Sequence, residues 1–259
     1  MTNTKKYNII YCDPPWKYRQ GKSMGTNFQG AADAHYPCMD YQDICKLPIG
    51  NLADEKCILF MWVTFPMLVE GLEVIKAWGF EYKTIAFTWL KVNPINEQPL
   101  FGVGYYTKSN IEVCLLATKG EAHKLVKSNS VSQIIVSPKT KHSKKPDEAR
   151  DKIIELVGDL PRIELFARQK TEGWDVIGDE IDGQDIRKTL ENMKQTHEEK
   201  KIVFDEDRAR KQVVMSKLYL ILRENKDPMV AVAIMVDSIP QWYEFLTATS
   251  SLPNQKLKT

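Results

Sequence analysis

"YNIIYCDPPW", residues 7–16, decides the reading of this chain: six residues, mostly apolar, run into an aspartate, two prolines and a tryptophan. An apolar run of that length reads as a strand covered on both faces. The prolines behind it remove two N–H donors and hold the backbone extended, so the strand stops and a stiff loop begins. Asp13 then stands at the carboxyl end of a strand, where open parallel sheets bind their ligands.

Similar runs recur down the chain: "CILFMWV" (57–63), "TIAFTWL" (84–90), "IEVCLLA" (111–117), "SQIIV" (132–136) and "RIELFA" (162–167). Between the second and third strands, "FPMLVEGLEVIKAWGF" sets Leu68, Leu72, Ile75 and Trp78 at helical spacing, with Gly79 as the stop. "PDEARDKIIELVG" is punctuated as a second helix: Pro146 suits its first turn, Asp147 and Glu148 suit the positive end of its dipole, and Gly158 ends it. Strands alternating with helices predict an α/β fold, a mostly parallel sheet with helices on both faces.

After Gly183 the texture changes. "IRKTLENMKQTHEEKKIVFDEDRARKQ" is charged and helix-favouring, and two segments with apolar faces follow. Two domains are expected: 1–183, and a helical extension, 184–259, suited to self-association through Leu218, Leu222, Val232, Trp242 and Phe245.

At 259 residues and 43% hydrophobic, the chain can fill one α/β core plus an appendage. A formal charge of +2 neither demands nor excludes nucleic acid, so such binding would rest on local patches. No apolar stretch reaches bilayer length, and the first residues lack a secretory segment, so no membrane is expected. Five cysteines without a CxxC pair suggest reduced thiols in a cytoplasmic protein and no metal site.

Asp13 admits three readings. It caps a turn, or it holds Mg²⁺ for an NTPase, or it accepts hydrogen bonds from a neutral amine. "GKS" at 21–23 superficially favours the second, but a phosphate-wrapping loop needs a glycine where Trp16 stands. The third accounts for all four residues. The exocyclic amine of adenine is a poor nucleophile because its lone pair is delocalised into the ring. A carboxylate taking one N–H and a proline carbonyl taking the other draw the nitrogen toward a tetrahedral shape. Consecutive prolines keep those acceptors fixed, and Trp16 offers a face for an extruded base.

"DPPW" resembles the signature of the N6-adenine methyltransferases that use S-adenosylmethionine. The resemblance extends through "CILFMWVT", "AWGFEYKTIAFTWLK", "GVGYYTKSNIEVCLLATKG", "KHSKKPDEARDKIIEL" and "RIELFARQKTEGWDVIGDEIDG", in the family's order, over roughly seven-tenths of the chain. The group includes the catalytic subunit of the eukaryotic mRNA adenosine methyltransferase and many bacterial and phage DNA enzymes.

The resemblance implies a Rossmann-like methyltransferase fold with Asp13, Pro14, Pro15 and Trp16 as the catalytic loop. It implies that Lys145 holds the carboxylate of the cofactor's methionine part, and that Glu164 and Arg168 lie around its ribose. Tyr36 matches a tyrosine near the substrate pocket. Lys170 and Thr171 stand where the mRNA enzyme has a histidine–asparagine pair, and Asp179 and Glu180 replace an asparagine–glutamine pair. The strand at 174–180 is the candidate to close the adenine pocket.

A target base must leave any duplex stack to reach Asp13. Lys17 and Arg19, with Lys22, follow the loop, and Lys139 and Lys141 precede the second helix; both clusters suit a nucleic-acid backbone. DNA is preferred over RNA by analogy with the family, acting as a homodimer or beside a related subunit. The rival is a non-catalytic nucleic-acid-binding partner, against which the intact Asp13, Lys145 and Glu164 argue. Cytoplasmic, nuclear or nucleoid placement would suit the activity.

Overall fold

The computed structural model describes residues 5–18, 38–102, 106–139, 144–183 and 185–193. The chain divides into a compact unit, Lys5–Asn192, and a second unit formed by residues 1–4 and 193–259. The segments carrying Leu218 to Phe245 lie outside the described residues.

Seven strands form one sheet: β1 (Tyr7–Cys12), β2 (Ala53–Val63), β3 (Glu81–Val92), β4 (Ile111–Lys119), β5 (Ile134–Pro138), β6 (Arg162–Leu165) and β7 (Asp175–Ile177), in the order β5-β3-β4-β2-β1-β6-β7. Helices among the described residues include α1 (Tyr41–Lys46), α2 (Leu68–Ala77), α3 (Glu148–Val157) and α4 (Asp179–Asp182). Each strand read from the sequence forms, but β2 and β3 begin earlier than their apolar runs. Those extra residues, such as Glu81 and Tyr82, pair with Thr118 and Ala117 of β4 and need no burial to do so.

The sheet is mostly parallel. Among the described strands only β4 is reversed, lying antiparallel to both β2 and β3. The described residues of the β3–β4 connection form no helix, and the chain turns back instead of crossing over. The carboxyl ends of β1, β2, β3 and β6 and the amino end of β4 consequently share one edge of the sheet.

Both faces are packed. Ile10, Cys12, Leu59 and Met61 face one core with Val74, Ile75 and Trp78 of the α2 segment. Ile9, Tyr11, Phe60 and Trp62 face the other with Ile153 and Val157 of α3. Seven consecutive residues of β2, Cys57 to Val63, are buried because neighbours point to opposite, covered faces. Burial of each such large side chain contributes on the order of 2 kcal/mol, so the centre of the sheet carries the stability.

Helix α2 turns most of the expected stripe inward: Ile75 and Trp78 are buried and Leu68 packs against the same core, and only Leu72 departs from it. Gly71, Val74 and Ile75 are buried while Leu72 is 36% exposed. Helix α3 ends at Gly158, as expected, with φ +81, a left-handed conformation that suits glycine.

Candidate active site

The topology converges on the residues after β1. β1 lies between β2 and β6 and is parallel to both; the chain leaves it toward β2 and returns on its other side as β6. That is a switch point, where a crevice opens beyond the strand ends. Cys12 is level with Met61 and Leu165, so Asp13 is the first residue past the sheet.

The loop is nailed down at each step. Trp16 N–H donates to the Pro14 carbonyl at 2.9 Å, Met39 N–H to the Pro15 carbonyl at 2.7 Å, and Lys17 N–H to the Met39 carbonyl at 3.2 Å. The Trp16 indole donates to the Trp62 carbonyl at 3.1 Å and is only 5% exposed. Trp16 thus anchors the loop and forms part of the cleft wall; its indole is too committed to the core to serve as the open stacking face the sequence suggested.

A cleft open to solvent lies over this corner, with Asp13, Pro14, Pro15 and Trp16 in its wall. Beyond the DPPW residues its wall includes Tyr18, Thr64, Glu112, Lys145 and Arg168. Tyr18 is tied to Thr64 by a hydroxyl–hydroxyl hydrogen bond of 2.9 Å.

The floor is a row of alternating charge. Lys145 Nζ donates to Asp13 Oδ2 at 2.7 Å and lies 3.1 Å from Glu112 Oε2, while Glu112 Oε1 meets Lys91 Nζ. Lys145 arrives from the segment ahead of α3, and its ammonium sits 5.9 Å from the Trp62 ring centroid. Burial would raise the Glu112 carboxyl, but Lys145 and Lys91 outweigh it and bring it down to about 2. Asp13 has Lys145 to itself only in part. Burial and the nearby Glu112 hold its pKa above the ordinary carboxylate value despite that lysine. Burial opposes the charge on Lys145, yet its two carboxylates raise its pKa. Glu112 and Lys91 were missed in the sequence, although a lone acid near the start of "IEVCLLA" was a visible signal.

A second alternating row runs beneath the neighbouring strand. Arg150 of α3 clamps Glu164 of β6 through two bonds of 2.8 Å and reaches Asp147 at 2.6 Å, which also holds Lys144 at 2.6 Å. The Arg150 guanidinium lies 5.5 Å from the Tyr11 ring centroid, and Tyr11 accepts the Trp62 indole N–H at 2.7 Å. Burial raises the Glu164 pKa, with Arg150 pulling the other way. Both Glu164 oxygens therefore face an arginine that the sequence reading had not singled out.

The remaining candidates are spread more widely. Arg168 lines the cleft and lies 3.7 Å from Glu180. Asp179 and Glu180 sit on α4, since β7 ends at Ile177 and does not run on to residue 180; Asp179 Oδ1 accepts the Ile186 N–H at 3.3 Å. Gly178 makes that bend possible, because a Cβ there would lie 2.0 Å from the Ala167 carbonyl oxygen. Lys170 is exposed, and the buried Thr171 hydroxyl has no hydrogen-bond partner among the described residues. Lys17 and Lys139 are exposed, while Arg19, Tyr36 and Lys141 lie outside the described residues. Among the described residues no group of three or more His, Cys, Asp or Glu could hold a metal ion. No described helix is long and apolar enough to cross a membrane.

A model of the MT-A70 family matches residues 7–180, the span that builds both charge rows and the cleft. The chain belongs to the MT-A70 family. Within that match fall Asp13, Glu112, Lys145, Glu164 and Arg168. The type II methyltransferase M.MunI of a Mycoplasma species is 35% identical over 192 residues, which cover 68% of this chain and 78% of that protein. The N(6)-adenosine-methyltransferase MT-A70-like protein of Drosophila melanogaster is 27% identical over 71% of this chain but 28% of its own length. The human N(6)-adenosine-methyltransferase catalytic subunit METTL3 is 27% identical over 69% of this chain and 29% of its own. This MT-A70 chain is thus homologous to N6-adenine methyltransferases while spanning under a third of the two adenosine enzymes.

Proposed function

We propose that this protein transfers a methyl group from S-adenosylmethionine to the N6 amine of adenine in nucleic acid, with DNA the preferred substrate. The observation that carries the reading is the fixed Asp13 corner in the wall of a cleft at the sheet's switch point. The mostly parallel seven-stranded sheet supports a Rossmann-like methyltransferase fold for residues 1–183.

The donor set fits the cofactor. The methionine end of S-adenosylmethionine carries a carboxylate and an ammonium, and the cleft offers Lys145 and Arg168 beside Asp13 and Glu112. An ammonium has three donors; Lys145 spends two on Asp13 and Glu112, leaving one for an incoming carboxylate. Glu164 would reach ribose hydroxyls only by sharing its oxygens with Arg150. The bound cofactor supplies a methyl group already activated on a sulfonium.

The protein's own part is orientation. Among the described residues only Lys145 bonds the Asp13 side chain, through Oδ2, so Oδ1 is left to accept one amine N–H. The Pro14 carbonyl spends one lone pair on Trp16 N–H and retains a second for the other amine hydrogen. Both acceptors are in place before the amine arrives, so little reorganisation accompanies the reaction. Lys17 and Lys139 are suited to phosphates flanking an extruded base.

DNA is favoured because M.MunI, a type II methyltransferase, is matched over 78% of its length, against 28–29% for the adenosine enzymes. Methyl transfer from labelled cofactor to single- and double-stranded DNA and RNA, followed by digestion to nucleosides, tests the proposal. N6-methyladenine from DNA supports it; label on another base, or cofactor binding without transfer to any of the four, contradicts it. The second outcome would favour a non-catalytic subunit. Self-association through residues 184–259, or pairing with a related subunit, completes the proposal and is read by mass in solution.

A further inference from the structure

Lys91 lies outside the cleft wall, yet it ends the charge row that reaches Asp13. It comes from the end of β3, and Glu112 from the start of β4; Trp89 is level with Glu112, which brings Lys91 diagonally across from it. Its ammonium lies 5.1 Å from the Trp89 ring centroid, over an indole that is 1% exposed and donates to the Ser137 carbonyl at 3.1 Å. Lys91 is therefore held against a rigid wall and aimed at Glu112 Oε1, while Glu112 Oε2 faces Lys145.

The consequence is a division of charge. Without Lys91 two carboxylates would compete for the single ammonium of Lys145, and the group would carry a net charge of about −1. With it, Glu112 has a cation of its own, and Lys145 sits nearer Asp13, 2.7 Å, than Glu112, 3.1 Å. We propose that Lys91 is a positioning residue: by balancing Glu112 it leaves Lys145 to Asp13 and keeps that carboxylate an ionised, oriented acceptor. The functional weight of this rests on the role assigned to Asp13 above.

The sign of the effect follows from every group facing Asp13. These are Lys145 ahead of α3, Glu112 and the neutral Cys114 of β4, Glu164 of β6, Arg168 beyond it, and Cys12 beside it. Removing the Lys91 charge leaves this set more negative, which disfavours ionised Asp13. Its pKa rises further, and a higher pH is needed to form the acceptor.

The test is a carboxyl-carbon NMR titration of the cofactor-free full chain, with Asp13→Asn to assign the resonance. Lys91→Met keeps the apolar stem, Lys91→Arg keeps the charge, and Glu112→Gln is made with and without Lys91→Met. The Met variant is expected to raise the Asp13 midpoint by roughly half to one pH unit. The acid limb of methyl transfer should move with it, the Arg variant should restore the wild-type midpoint, and Lys91→Met should add nothing once Glu112 is Gln. An unmoved midpoint in folded Lys91→Met overturns the proposal, as does an equal shift without Glu112. If Lys91→Met does not fold, Lys91→Gln reads the same midpoint; if neither folds, Lys91 is structural and the proposal fails. An inactive wild type would sink the methyl-transfer reading alone, because the titration needs no activity.

Discussion

Replacing Arg150 with methionine should expose how much of the domain depends on the charge row beneath β6. Arg150 and Glu164 have side chains 7% and 10% exposed and share two bonds of 2.8 Å. Methionine preserves much of the stem but leaves the Glu164 carboxylate buried without its cation. Breaking one side of a buried pair costs about 3–5 kcal/mol. The lower end applies, because Asp147, 60% exposed, regains water when Arg150 goes. About 3 kcal/mol in a unit the size of Lys5–Asn192 lowers Tm by about 6–12 °C. The loss should depend on pH in one direction. A carboxyl whose folded pKa is raised above its unfolded value destabilises only above the unfolded value, so the penalty is absent near pH 4 and grows toward neutrality. Calorimetry at pH 5 and pH 8, with Arg150→Met/Glu164→Gln as control, measures this. A loss below about 1 kcal/mol, a larger loss at pH 5, or no recovery in the double variant would refute the reasoning.

Asp13→Asn keeps the shape of the side chain but not its charge; methyl transfer should fall at least about 100-fold while the cofactor Kd stays within a few-fold, by steady-state kinetics and calorimetric titration. Neutralising Lys17 and Lys139 to glutamine should weaken nucleic-acid binding and flatten the slope of log K against log salt by roughly 0.9 per lysine on duplex DNA. Gly178→Ala puts a Cβ about where the Ala167 carbonyl oxygen, 2.0 Å from it, already sits. The β6–β7 ends must then separate, which a drop in Tm or loss of soluble protein reports.

Much of this fold was legible because a two-sided sheet needs unbroken apolar runs, and "YNIIYC" became Tyr7–Cys12 without adjustment. The reversal of β4 was less so, since strand direction leaves no mark on composition. Its signal lay in residues 93–110, which lack the helical pattern a parallel crossover requires. Leu72 misled for a different reason: it lies at the margin of the stripe, where spacing alone does not tell it from Val74, which is buried beside Ile75 and Trp78. The loop Asp13–Trp16 declared itself through proline chemistry. Lys91, Glu112 and Arg150 did not, because their meaning lies in partners 21, 33 and 14 residues away along the chain.

The most direct measurement is a crystal structure of the full chain with S-adenosylhomocysteine and an adenosine-containing oligonucleotide. The account predicts adenine N6 within hydrogen-bond reach of Asp13 Oδ1 and the Pro14 carbonyl, with the sulfur facing the same nitrogen. An adenine bound elsewhere, or an Asp13 carboxylate directed away from both molecules, would contradict it.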